Sequence, residues 1–199
     1  MKFSLTTRDL INVGIFTVIY FLCQFTPGML GLAGPQFMLL GIVLAIFFCG
    51  IVAVFYMARV NKMGAMTILG AICGLLFVLT GHTAWLLVGG TVLGFIADMI
   101  HSKLGFSERL SPARAIAAYV VFSLIVLVAL EPMLFNSDAY FKAIEGEMGA
   151  DFAHNYRAFF TPQLILTFVP ISMFLSFVAG WIGVKVNKKH FSKAGLIKS

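Results

Sequence analysis

Charge is scarce in this chain: Asp, Glu, Lys and Arg make up 11% of its 199 residues, against about 25% in a soluble domain. With 60% hydrophobic residues and a mean hydropathy of +0.99, a water-soluble globule is excluded and the chain reads as an integral membrane protein. Cysteine is scarce too. Cys23, Cys49 and Cys73 all fall within apolar runs, with no C-x-x-C pair and no histidine at ligand spacing, so neither a disulfide framework nor a zinc site is expected. Cys23 follows "YFL", which lacks the small residues of a lipoprotein acylation site. The phosphate-binding glycine loop, the H-E-x-x-H pair and the G-x-S-x-G elbow are all missing. The chain therefore cannot power transport by itself, and nothing nominates it as an enzyme. No charge lies near the middle of an apolar run, which excludes a proton relay, a carboxylate-lined ion path and a voltage sensor.

What is present is apolar and long. Nothing from Leu10 to Ala58 is charged, nothing from Met63 to Ala97 apart from His82, and Ala115 to Leu130 and Ala158 to Val184 are clear as well. A spanning helix needs about 20 residues. The first gap therefore holds two helices broken at "TPGMLGLAGP", the second holds two broken at "TGHT", and the others hold one each. The expected spans are 9–27, 36–58, 63–80, 83–101, 112–133 and 162–187. "GLA" before Gly34 resembles a signal-peptidase site, but the apolar run before it is long and a second span follows, so cleavage is not expected.

Basic residues set the expected orientation. With the N-terminus inside, Lys2, Arg8, Arg59, Lys62, Lys103, Arg109, Arg114, Lys185, Lys188, Lys189, Lys193 and Lys198 are cytoplasmic, which is 12 of the 14 basic residues; Lys142 and Arg157 are outside. Glu131, Asp138, Glu145, Glu147 and Asp151 fall outside, and Asp9, Asp98 and Glu108 inside. The net charge of +6 is thus a topology signal, and no basic patch interleaved with aromatics points to nucleic acid.

The longest loop, about 134–161, lies outside between spans five and six. Its Asp138 to Met148 portion carries helix formers behind a possible cap at Ser137 or Asp138, and predicts a short amphipathic helix over the outer mouth. Long loops with structure of their own are usually functional. Inside the spans, Gly70 and Gly74, Gly90 and Gly94, and Ser172, Ser176 and Gly180 recur every four residues, spacing that lets helix backbones approach in lipid. The fold expected is all-α: six transmembrane helices in a compact bundle, one membrane domain over 1–199, both termini cytoplasmic.

"LTTRDLINVGIFTVIYF", "GHTAW", "GFIADMI", "DAYF" and "KKHFSKAG" occur in this order along the chain. Together they resemble the MptD-type subgroup of substrate-binding (S) components of energy-coupling-factor (ECF) transporters, over essentially the whole chain. The resemblance implies a six-helix cell-membrane subunit of an ABC-type importer that captures a micronutrient outside. It also implies two kinds of partner, a transmembrane coupling protein and two cytoplasmic ATPases, with no cofactor bound permanently and ATP hydrolysed by the partners only. S components commonly dock through an A-x-x-x-A-like face on span one. Here the nearest match is Gly14 with Val18, a β-branched residue in the second small position, and Ala33, Ala45 or span six could share the face.

On this topology His82 and Trp85 sit at the outer end of span three, where His82 is either a ligand contact or a helix-ending residue bonded to backbone, and Trp85 either a pocket wall or an interfacial belt residue. The other outer candidates for substrate binding are Gln36, Glu131, Asn136, Tyr140, Arg157 and Gln163, with Gln24, His154 and Tyr156 beside them. Glu131 stands out, because a carboxylate before Pro132 at the end of an apolar span is costly unless something pairs with it. Phenylalanine, with 21 copies, supplies flat apolar walls. Two substrates suit such a site: a vitamin-like heterocycle near Trp85 and Tyr140, or a haem-like macrocycle with His82 or His154 on iron and Arg157 near a propionate. The alternative to a binding subunit is a self-sufficient carrier or channel, but neither internal repeats nor mid-span polar residues suggest one.

Overall fold

The computed structural model describes residues 5–102 and 110–191. Lys2, Lys103, Glu108, Arg109, Lys193 and Lys198, which enter the charge count, lie outside the described residues, as does the end of "KKHFSKAG".

Local sequence explains where each helix starts. In α1 (Thr7–Gly28), the Thr6 hydroxyl accepts from the Asp9 N–H while the Asp9 carboxylate accepts from the Thr6 N–H, a reciprocal box that satisfies two end donors. A 3₁₀ turn, Met29–Ala33, leads through Gly34 at φ 138° into α2 (Pro35–Arg59), whose first residue is a proline with no N–H to leave unpaired. Then follow α3 (Ala65–Leu79), α4 (Trp85–Ser102) and α5 (Pro112–Ser123), the last capped by the Ser111 hydroxyl. Two short pieces come next, α6 (Ile125–Ala129) and α7 (Glu131–Phe135), and two longer ones, α8 (Ser137–Met148) and α9 (Ala150–Phe159). Then comes α10 (Pro162–Val186), which is capped by Thr161 and runs on into a π-helical turn at Asn187–Phe191.

The long helices close into a ring. Each packs on the next in the spatial order α1, α2, α10, α5, α4, α3 and back to α1. The ring encloses a core in which Tyr20, Met57, Met66, Leu69, Tyr119 and Phe122 are buried. Buried tyrosines need partners for their hydroxyls, and they find them across the ring: Tyr56 donates to the Ala65 carbonyl at 2.8 Å, and Tyr119 to the Ile46 carbonyl. Cys23, Cys49 and Cys73 are free thiols within α1, α2 and α3.

Five segments are long and apolar enough to cross a membrane: Thr7–Ala33, Pro35–Arg59, Trp85–Ser102, Pro112–Ala129 and Pro162–Lys189. The expected span at 63–80 is an apolar helix of 15 residues, about 22 Å long at 1.5 Å per residue and so shorter than the ~30 Å hydrocarbon core. Multi-pass helical membrane architecture holds, with five full-length spans and one short member of the ring.

Two expectations about the second half need correction. The span drawn over 112–133 crosses as Pro112–Ala129, in which α5 and α6 meet at Leu124 with its helical dihedrals kept, while the remainder forms the separate α7. Where α5 and α6 meet, the Leu124 N–H bonds the Val121 carbonyl three residues back, and the Ser123 hydroxyl takes the Val120 carbonyl at 2.7 Å. At the start of α7, Pro132 has no N–H to offer and its ring would strike the carbonyl four residues earlier, so a new helix starts at Glu131 with proline in its first turn. The loop 134–161 holds two helices rather than one. Gly149, at φ 92°, turns the chain between α8 and α9, a left-handed conformation that glycine adopts without a Cβ penalty. Neither Ser137 nor Asp138 caps α8, which starts at Ser137, and the preceding Asn136 makes no side-chain capping bond.

Candidate functional site

The two ends of the ring differ in chemistry. At the end carrying Arg59 and Lys62, the Lys62 ammonium pairs with Asp9 at 2.6 Å and ties the α2–α3 turn to the start of α1. Beside it lies a buried polar cluster. Asp98, with 0% exposure, accepts from the backbone N–H groups of Met66 and Thr67 at 2.9 and 2.8 Å and from the Thr67 hydroxyl at 2.5 Å. His101, also fully buried, lies 2.9 Å from Asp98 through Nε2 and 3.1 Å from the Asn61 Oδ1 through Nδ1. Arg114 donates to the His101 carbonyl at 2.7 Å.

This cluster is a helix cap supplied by a neighbouring helix. The first N–H groups of α3 have no intrahelical partners, and the residue before it, Gly64 at φ 92°, has no side chain to supply one. Asp98 reaches across from α4 instead. The sequence reading counted Asp98 as a charge on the cytoplasmic side and passed over its role; the available signal was an acid three residues before a histidine near the end of a span, which puts both on one helix face.

The opposite end holds the predicted ligand residues, and the structure divides them into groups. His82 lies in the α3–α4 turn, its Nδ1 3.2 Å from the Thr80 hydroxyl and its ring edge-on to Phe77 at 5.1 Å. Part of its surface is accessible, yet desolvation of the ring holds its pKa below the ordinary histidine value, against the opposing pull of hydrogen bonds to the Phe77 and Thr80 backbone. Trp85 opens α4 with 58% of its surface exposed. Phe77 in turn meets Phe21 and Phe25 of α1, so the turn sits over an aromatic wall.

The second group gathers on the α8–α9 hairpin. Arg157 pairs with Asp138 at 2.5 Å and lies 5.8 Å from the Phe141 ring centre, which clips the two helices together. Tyr140 meets Phe141 edge-on. Tyr156 is buried, stacks on Phe152 at 4.5 Å, and donates to the carbonyl of Gly31 in the 3₁₀ turn. Burial, with Tyr140 nearby, pushes its pKa up to about 12, so it remains a donor at neutral pH. Between hairpin and bundle runs an open groove of about 520 Å³, lined by Ala33, Gly34, Pro35, Gln36, Asn155, Ala158 and Phe159. Gln36 is thus a groove residue. Asn136 and Gln163 are exposed beside the hairpin's ends, and His154 is exposed on α9. Glu131 is partly buried as the first residue of α7, and its carboxylate joins none of the ion pairs among the described residues.

Inside the ring, below this end, is a chamber of about 10 Å³ lined by Tyr20, Gln24, Ala45, Ile46, Cys49, Tyr119, Ser123, Ile125 and Val126. Sequence reasoning offered only Gln24 among these as a binding residue, naming Ala45 and Cys49 for other reasons, because the chamber exists only where the ring closes. On the outside of the ring, Gly14 and Val18 lie on an exposed apolar face of α1; Val18 is 56% exposed, and a Cβ at Gly14 would meet nothing within 4 Å. Ala45, offered as a sharer of that face, is buried in the chamber wall instead.

No curated protein and no solved structure matches the chain. Residues 7–193 match a family described as hypothetical bacterial integral membrane proteins (Trep_Strep), which covers every helix of the ring as well as the hairpin. The chain belongs to that family.

Proposed function

We propose that this chain is the substrate-binding component of an ECF-type importer, of the MptD-type subgroup, which captures a micronutrient on the outer side and depends on a separate coupling protein and two ATPases for uptake. The observation that carries the reading is the asymmetry of the ring. At one end lies the hairpin, tied to the bundle at Tyr156–Gly31 with an open groove beside it. At the other end Asp98 joins α4 to the start of α3 in a buried polar cluster. The cleft between α1, α2 and α5 measures about 10 Å³, room for about one water, so the reading places capture at the hairpin end.

On this reading the hairpin end is extracellular and both termini are cytoplasmic. In a cysteine-free background, a cysteine at Ala150 should react with an impermeant maleimide in intact cells, and one at Lys189 only after the cells are opened. The reverse pattern would move the capture site to the cytoplasm and end the proposal.

The exposed face of α1 is the proposed docking surface for the coupling protein. Chain purified from its native membranes in mild detergent should carry that protein and both ATPases with it. Because a Cβ at Gly14 meets nothing within 4 Å in this chain, Gly14→Leu should keep or slightly raise its melting temperature through helix propensity while cutting the amount of coupling protein recovered at least tenfold. Full recovery with Gly14→Leu would place the docking face elsewhere.

A further inference from the structure

The groove between the α8–α9 hairpin and the start of α2 holds about 520 Å³, within the ~300–1,000 Å³ of small-molecule sites, and no charged side chain lines it. Its polar side chains are two carboxamides, Gln36 of α2 and Asn155 of α9. Both residues are exposed, and neither side chain makes a hydrogen bond among the described residues. Gln36 Oε1 stands over Gly34, 3.5 Å from where a Cβ on that glycine would lie. Each carboxamide offers an acceptor oxygen and two N–H donors, so the groove suits a ligand that both gives and takes hydrogen bonds. Pro35 and Phe159 supply apolar wall.

A second observation concerns how the two walls are held. Tyr156, next to Asn155, is buried and donates to the carbonyl of Gly31, in the turn that leads into Gly34 and Pro35. That tie has little slack, since a Cβ on Gly31 would come within 3.1 Å of the Tyr156 hydroxyl. The two carboxamides therefore stand on walls whose separation is set before any ligand arrives, which lowers the ordering cost of binding. The one cation of α9 near them, Arg157, is already answered by Asp138 at 2.5 Å.

We infer that this groove takes an uncharged flat molecule with a cis-amide edge, a lactam or imide whose N–H and C=O lie side by side. A carboxamide pairs with such an edge through two antiparallel hydrogen bonds: its N–H donates to the ligand's carbonyl, and the ligand's N–H donates to its oxygen. The ring then lies along the apolar wall. The inference rests on the reading that capture takes place at the hairpin end, and it narrows the substrate class. A haem-like macrocycle finds neither an iron ligand nor a cation for its propionates among the lining residues.

The test uses three probes with the intact chain in lipid nanodiscs: 2-pyridone, which carries N–H and C=O side by side; 1-methyl-2-pyridone, which lacks the N–H; and benzoate, a charged ring of similar size. Saturation-transfer NMR, with the signal from empty nanodiscs subtracted, should show 2-pyridone bound and the other two at least about threefold weaker, within the range for losing one hydrogen bond. Gln36→Met and Asn155→Leu each remove one carboxamide at similar size. Neither side chain bonds to the rest of the fold, so both variants should keep the parent melting temperature, and should one fail to fold the other still tests the site. Loss of the preference for 2-pyridone over its methyl derivative in either variant supports the assignment. Equal binding of those two probes, stronger binding of benzoate, no 2-pyridone signal, or a preference unchanged in every folded variant would overturn it. Recovery of the coupling protein is a separate readout: 2-pyridone preference without any coupling partner would sink the transport reading and leave the groove, and the opposite pair of results would do the reverse.

Discussion

Asp98→Ala should lower the unfolding free energy of the chain by about 3–5 kcal/mol, the range for stripping one partner from a buried ionic network. The carboxylate answers four donors: the Met66 and Thr67 N–H groups, the Thr67 hydroxyl and His101 Nε2. Alanine leaves all four without it, at a site where Met66 and His101 are fully buried and Thr67 partly so, and an unanswered buried backbone N–H costs about 1–3 kcal/mol. The damage should be local in origin, at the first turn of α3, and should spread through the α3–α4 pair that the cap joins. Asp98→Asn keeps one carbonyl oxygen as acceptor and should cost less than half as much. His101→Ala on top of Asp98→Ala should add less than it costs alone, since the two share one contact. Unfolding in detergent, followed by a thermal melt for the unmodified chain, the three single variants and the double one, reads the effect; a loss under about 1 kcal/mol for Asp98→Ala would show that α3 does not depend on its cap.

Gly70→Ala and Gly90→Ala should each destabilise by about 3 kcal/mol or more, at or beyond the upper end of ordinary overpacking. A Cβ on Gly70 would fall well inside contact distance of the Gly90 carbonyl oxygen and at 2.9 Å from the Phe122 ring; a Cβ on Gly90 would strike the Gly70 carbonyl in return. These obstacles are mainly backbone, which cannot swing aside as a side-chain end can. The two helices would have to separate along the seam where they touch most closely. Gly14→Ala supplies the control: nothing in this chain lies within 4 Å of its Cβ, and helix propensity alone should stabilise it by about 0.5–1 kcal/mol. Similar melting temperatures for Gly70→Ala and Gly14→Ala would mean that α3 and α4 are not packed backbone to backbone.

The glycine seam was legible in the sequence, because four-residue spacing in an apolar run has one cheap structural use. Helix positions followed from gaps between charges for the same reason: lipid tolerates few charges, so their absence maps the spans. What stayed hidden depends on contacts distant in the chain. Asp98 caps a helix that begins 33 residues before it, and no local pattern announces a cap given across a helix pair. The chamber needs Gln24, Ile46 and Ser123 brought together from three helices. Between these extremes lies Pro132, whose missing N–H makes the start of a new helix at Glu131 readable from the sequence. Gly149 could likewise have divided the outer loop into two helices. Of the candidate ligand residues, Gln36 lines the groove and Tyr140, Tyr156 and Arg157 share the hairpin, while His82 makes contacts within its own turn that need no ligand.

The central claim is that the chain binds but does not pump. Reconstitution into liposomes loaded with ATP, followed by incubation with an extract of micronutrients from growth medium and mass spectrometry of protein-bound and lumenal fractions, tests it most directly. The account predicts a compound enriched on the protein but not in the lumen, with lumenal enrichment appearing once the coupling protein and both ATPases are added. Accumulation against a gradient by this chain alone would contradict it.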